Sequence, residues 1–116
     1  MTVVMYGIPN CDTIKKAKNW LTEHDISFEF HDYRKQGVPQ DVLEQALAEL
    51  GWEQVLNKRG TTYRQLSDDQ KASLSAATAL PLLTDNPAMI KRPLLAVNGQ
   101  LHLGFKPAQY QEIFNS

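Results

Sequence analysis

The chain has one cysteine, Cys11, in 116 residues, so it cannot close a disulfide within itself. It has no run of about 18 apolar residues, which excludes a membrane-spanning helix. No basic segment followed by an apolar stretch opens the N-terminus, so no signal peptide is expected. Neither charge sign is in excess: 12 Lys and Arg against 13 Asp and Glu give a net charge of −1. That balance offers no electrostatic case for nucleic acid or an acidic membrane as a partner. Glycine-rich phosphate loops, Ser/His/Asp arrangements, internal repeats and low-complexity tracts are all missing. The three histidines, His24, His31 and His102, share no ligand spacing with Cys11, so no metal site is expected. A lone cysteine without an export signal suits a reducing compartment, and a cytoplasmic location is the expectation.

What is present centres on Cys11. An apolar start, Val3-Val4-Met5-Tyr6, reads as a strand and Gly7-Ile8-Pro9-Asn10 as a turn. Asp12 to Glu23 follows as an amphipathic helix with Ile14, Ala17 and Leu21 on one face. A thiol at such a junction meets the partial positive charge of a helix N-terminus, which favours the thiolate. The competing reading of the residue alone is a small buried hydrophobe.

Along the chain, Ile26, Phe28 and Phe30 alternate with Ser27, Glu29 and His31, the period of a half-buried strand. With the preceding helix this makes a β-α-β unit with parallel strands. Asp32 to Val38 reads as a charged connection. Pro39 is expected to open a second helix with Val42, Leu43, Ala46, Leu47 and Leu50 on one face, ending at Gly51. Trp52 to Ala88 breaks into short helical pieces with no strand signal, and Ser67-Asp68-Asp69 is a capped start. Strand character returns at Pro93 to Val97. Asn98-Gly99 then predicts a hairpin into Gln100 to Leu103, and Pro107 begins a last helix bearing Tyr110, Ile113 and Phe114. With the helical block removed, the element order is that of thioredoxin.

Several strings run in order almost from end to end: Tyr6-Gly-Ile-Pro-Asn-Cys11, Asp32-Tyr33-Arg34-Lys35, Asn57 to Tyr63, Ile90-Lys91-Arg92-Pro93, and Leu103-Gly-Phe-Lys-Pro107. On these the chain resembles the ArsC/Spx/YffB family of thioredoxin-fold proteins, nearest its YffB-like branch. The resemblance implies an α/β fold with a mixed four-stranded sheet and an inserted helical subdomain. It implies a single ArsC-like domain over residues 1–116, with a thioredoxin-like core at about 1–35 and 89–116 around an insert at about 38–88. It places Pro93 as a cis-proline opposite Cys11, with Arg92 projecting a fixed positive charge toward the thiol. Arg59 and Lys106 complete a basic pocket in the same reading, and Thr13 supplies a hydroxyl near the sulfur. Each has a plainer alternative: Arg92 as a surface arginine at a strand edge, Arg59 as a solvated loop charge, Lys106 as a charge before a helix, and Thr13 as decoration of the first helical turn.

The position three after Cys11 is Ile14, so there is no Cys-x-x-Cys pair and an adduct on Cys11 must be cleared by an external thiol. The expected function is a glutathione-dependent thiol-disulfide reductase. Glutathione would be co-substrate with no bound cofactor, a glutaredoxin or protein disulfide would be a further partner, and the chain is expected to be a monomer. Two other functions compete. Arsenate reductases carry a histidine four before the cysteine and a serine three after it, where this chain has Gly7 and Ile14. They also carry three oxyanion arginines; here Arg92 remains, Lys106 takes one place, and Arg59 sits two residues past the other. The third reading is a non-enzymatic Spx-like interaction module, but the Spx Cys-x-x-Cys switch is removed by Ile14.

Overall fold

The computed structural model describes residues 2–9 and 11–114; Asn10 of the expected turn lies outside them. The elements in chain order are β1 (Val3–Gly7), α1 (Asp12–Glu23), β2 (Glu29–Asp32), α2 (Tyr33–Gln36), α3 (Gln40–Leu50), α4 (Trp52–Val55), α5 (Thr61–Arg64), α6 (Asp68–Ala72) and α7 (Ala76–Asp85). A 3-10 turn at Pro87–Met89 precedes β3 (Leu94–Val97), β4 (Gln100–Leu103) and α8 (Pro107–Phe114). Two compact units result. One runs through Tyr33 and resumes at Arg92; the other is Arg34–Lys91.

The first unit holds a four-stranded mixed sheet in the order β2-β1-β3-β4. β1 pairs parallel with β2 and antiparallel with β3, and β3 pairs antiparallel with β4. This is a thioredoxin-like arrangement. Asn98 and Gly99 both take positive φ, 51° and 86°, as a two-residue hairpin turn of matching twist requires. The asparagine also closes the start of the chain, its side-chain oxygen accepting from the Thr2 N–H at 2.9 Å.

One face of this sheet carries the core: Val3, Met5, Leu95 and Val97 from strands, Ile14, Ala17 and Leu21 from α1, and Tyr110 from α8. The three- and four-residue spacing on α1 aligns its apolar side chains, and all three are fully buried. Burying each of the two larger ones contributes about 1.5–3 kcal/mol. α1 stops in a Schellman motif. Ile26 N–H reaches Leu21 C=O at 2.9 Å and Asp25 N–H reaches Thr22 C=O at 3.1 Å, with Asp25 in the left-handed region at φ 56°.

That ending shortens β2. The alternation beginning at Ile26 predicts a strand from there, yet the ladder starts at Glu29 opposite Val4. The Ile26 N–H is instead given to Leu21 C=O in the helix ending, although its side chain packs on the core. The connection expected over Asp32 to Val38 also contains the helical turn α2.

In the second unit, α3 buries Leu43, Ala46 and Leu47, and Gly51 at φ 88° ends it. Pro39 is the N-cap, with extended backbone, and not the first helical residue. Its carbonyl accepts from Leu43 N–H at 3.0 Å. α6 and α7 each start with a complete capping box, Ser67 with Gln70 and Ser75 with Thr78. A bridge between Leu56, just after α4, and Ile90 ties the middle of the unit to its end, flanked by backbone bonds Asn57 N–H to Met89 C=O and Lys91 N–H to Val55 C=O, both 2.7 Å.

Candidate active site

The register of the sheet gathers four chain segments at one end of the first unit. Gly7 closes β1 opposite Asp32, which closes β2; Leu94 opens β3 opposite Tyr6; Leu103 closes β4 opposite Leu94. Just past that end stand Cys11, four residues after β1, Pro93, immediately before β3, and Lys106, three residues after β4. Gly104 N–H donates to Pro93 C=O at 2.9 Å, so the β3–β4 contact continues one step beyond the ladder.

Cys11 is the N-cap of α1, with extended backbone (φ −127°, ψ 127°). Its carbonyl accepts the first helical bond, from Lys15 N–H at 3.0 Å. Its side chain makes no capping hydrogen bond, so the sulfur does not occupy the amides of the first turn. Those amides carry the positive end of a 12-residue helix. The thiol is free, half-exposed, and rests on the buried core cluster. It is therefore reachable from solvent while standing on a rigid base. Thr13 lies in the same turn, half-buried.

The Arg92–Pro93 peptide is cis and Pro93 is buried. Arg92, before it, is half-buried. Lys106 is exposed, and its carbonyl accepts from Tyr110 N–H at 3.1 Å as α8 begins. Arg59 belongs to the helical unit, on an exposed turn between α4 and α5, where its N–H donates to the Asn57 side-chain oxygen at 3.2 Å. Thus Cys11, Thr13, Arg92, Pro93 and Lys106 share one end of the sheet unit, and Arg59 sits in the other unit.

Three sets of contacts in the sheet unit go beyond what the sequence showed. Tyr6 of β1, His31 of β2 and Tyr33 at the start of α2 form a ring cluster, with centroids 5.1 to 6.4 Å apart. Burial, and then the neighbouring Tyr6, push the Tyr33 phenol well above its ordinary range, so it stays neutral. Tyr110 is fully buried between Phe105 and Trp20, each meeting it edge-on, and its hydroxyl has no hydrogen-bond partner. Gly7 lies against Ile14: a Cβ on Gly7 would stand 2.6 Å from the Ile14 δ-methyl. Both residues stand out in the sequence as departures from the arsenate-reductase pattern, but their contact does not. Among the described residues no cluster of His, Cys, Asp or Glu could hold a metal, and no helix is long and apolar enough to cross a membrane.

The model of the ArsC family matches residues 6–113. The chain belongs to the ArsC family. A solved YffB protein is 48% identical, with a TM-score of 0.91 over 96% of this chain and 97% of that one. A solved arsenate reductase (ArsC) related protein from Brucella melitensis is 47% identical, with a TM-score of 0.79 over 100% of this chain and 97% of that one. The global transcriptional regulator Spx of Lactiplantibacillus plantarum is 30% identical over 89% of this chain and 79% of its own length. The ArsC-family relatives thus include both reductase-related proteins and regulators, and the choice between those chemistries turns on this chain's own thiol site.

Proposed function

We propose that this ArsC-family protein is a glutathione-dependent thiol-disulfide reductase working through Cys11 alone. The observation that carries the reading is a half-exposed thiol at the N-cap of α1, at the same sheet end as Arg92 and Pro93, in a chain with no second cysteine. In the first step the Cys11 thiolate attacks a disulfide R–S–S–G. The Cys11–SG bond forms, the R–S bond breaks, and RS⁻ leaves with the electron pair. In the second step a glutathione thiolate attacks the glutathione sulfur of the adduct. Glutathione disulfide departs and Cys11 leaves as thiolate. Overall one glutathione thiol is oxidised, joining the glutathione already held in the substrate disulfide, the R sulfur is reduced to its thiolate, and no electron carrier remains on the protein. A cysteine facing a helix N-terminus suits both steps, because it carries negative charge when it attacks and again when it leaves.

Arg92 and Lys106 supply cations at this sheet end. In this reading Arg92 pairs with a glutathione carboxylate through its planar fork, and Lys106 adds a point charge. Pro93 shapes the backbone opposite the thiol, and Thr13 offers a hydroxyl in the first helical turn. The arsenate-reductase reading is weaker, because Gly7 and Ile14 present hydrogen and hydrocarbon near the thiol where a tetrahedral oxyanion needs donors. The test is turnover of a small glutathione mixed disulfide by purified protein with excess glutathione, for wild type, Cys11→Ser and Arg92→Ala. Cys11→Ser abolishes turnover. Arg92→Ala slows it about 10- to 150-fold, the worth of one charged hydrogen bond, and Arg92→Lys recovers part. Wild-type turnover no better than the Cys11→Ser variant rejects the reading. Rapid glutathione-coupled arsenate reduction would transfer it to the arsenate reductases, and inactivity toward both would favour a regulatory module.

A further inference from the structure

Gly7 has no backbone reason to be glycine. It sits in the regular β1 ladder opposite Asp32, and it is not among the residues with positive φ. Its reason is the approach of Ile14, whose δ-methyl and γ-methylene lie 2.6 and 3.4 Å from where a Cβ would stand, with the Phe30 ring behind them at 3.9 Å. Ile14 cannot easily give way, since it is fully buried in the core of the sheet unit. It is also the third residue of α1, on the turn that Cys11 caps. N-cap and N3 side chains are neighbours on a first turn, as the Ser67–Gln70 and Ser75–Thr78 boxes of this same chain show. At Cys11 the N3 side chain is an isoleucine, no capping bond forms, and Ile14 seats on Gly7.

We propose that Gly7 and Ile14 form a positioning pair for Cys11, an inference that rests on the nucleophile reading above. The seat of Ile14 on Gly7 sets how closely the first turn of α1 approaches the end of β1, and with it where the thiol stands at the sheet end that carries Pro93. With no second cysteine in the chain, the adduct persists until an external thiol arrives, and its lifetime follows the concentration of that thiol.

The experiment is a double-mutant cycle with Gly7→Ala, Ile14→Val and the two combined. It reads the exchange rate of Cys11 with glutathione disulfide, at a temperature where circular dichroism shows each variant folded. Gly7→Ala inserts a methyl into the Ile14 seat and slows exchange about tenfold, because a small displacement of a reacting group costs this much or more. Ile14→Val removes the δ-methyl and changes the rate less than about threefold. The double variant returns to within about threefold of wild type, which independent effects cannot do. If Gly7→Ala alone does not fold, a folded double variant at near wild-type rate shows the same coupling. A double variant as slow as Gly7→Ala, a double variant that does not fold, or a folded Gly7→Ala at wild-type rate overturns the pair. If the wild type forms no glutathione adduct, the function proposed above fails separately. The same four proteins are then compared by iodoacetamide alkylation of Cys11, where the rescue is still expected.

Discussion

The two units of this chain are specified in different ways. In the sheet unit, β1 takes its partners from β2 on one side and from β3 at the far end of the sequence on the other. Its helices are held by side chains fully buried on a shared core. In the helical unit, α6 and α7 begin with capping boxes of four residues each, and the longer-range ties include the Leu56–Ile90 bridge and the Gln40 side-chain amide donating to the Thr84 hydroxyl at 2.7 Å. The difference teaches where precise chemistry can be built. Cys11, Pro93 and Lys106 are brought to one sheet end by pairings that span most of the chain, so any loss of the sheet core displaces all three. Losing a cap in the helical unit frays one short helix.

The sharpest way to break the contrast is to empty the sheet core. Leu21→Ala removes a fully buried side chain of α1 and should cost about 2–5 kcal/mol in denaturant unfolding. Cys11 reactivity should become less selective as α1 loosens. A cost below about 1 kcal/mol would mean that α1 is not anchored as described. Ser75→Ala in the helical unit should cost only about 1 kcal/mol, the usual worth of an N-cap, and should leave Cys11 alkylation unchanged. A change in Cys11 rate would show that the local cap matters to the thiol.

A smaller effect sharpens the picture of the sheet core itself. The Tyr110 hydroxyl is buried without a partner, so Tyr110→Phe should hold or raise stability at neutral pH by up to about 1 kcal/mol. Burial raises the Tyr110 and Tyr33 phenols well above their ordinary range. The native state therefore holds these protons more tightly than the unfolded chain. Their contribution is fully present below about pH 10, where free tyrosine titrates, and is lost as pH climbs above it. Tyr110→Phe should flatten part of that alkaline decline in thermal melts. An unchanged decline would indicate that Tyr110 does not contribute to it.

Much of the sheet unit was legible because its signals are regular. The apolar start, the period of α1, the Asn98-Gly99 turn and Pro107 at the head of α8 each match a local rule, and the strings around Cys11 and Arg92 carried the family. The start of β2 differs from the sequence expectation because Ile26 and Phe28 keep strand periodicity in their side chains while the Schellman ending of α1 takes up the Ile26 N–H. α7 was not resolved as one helix, since Pro81 sits inside it and interior proline argues against a helix. Its Ser75–Thr78 box was the available signal. The Gly7–Ile14 contact was out of reach. Both residues stand out in the sequence, but only the packing of α1 against the end of β1 shows that one explains the other.

The central claim is that Cys11 acts alone and is cleared from outside. Intact-protein mass spectrometry after exposure to oxidised glutathione, and again after excess reduced glutathione, tests it most directly. The account predicts a single glutathione adduct on the wild type, none on Cys11→Ser, and full return to the unmodified mass when the reduced thiol is added. A wild-type protein that stays unmodified while an exposed control thiol reacts, or an adduct that excess glutathione fails to remove, would contradict it.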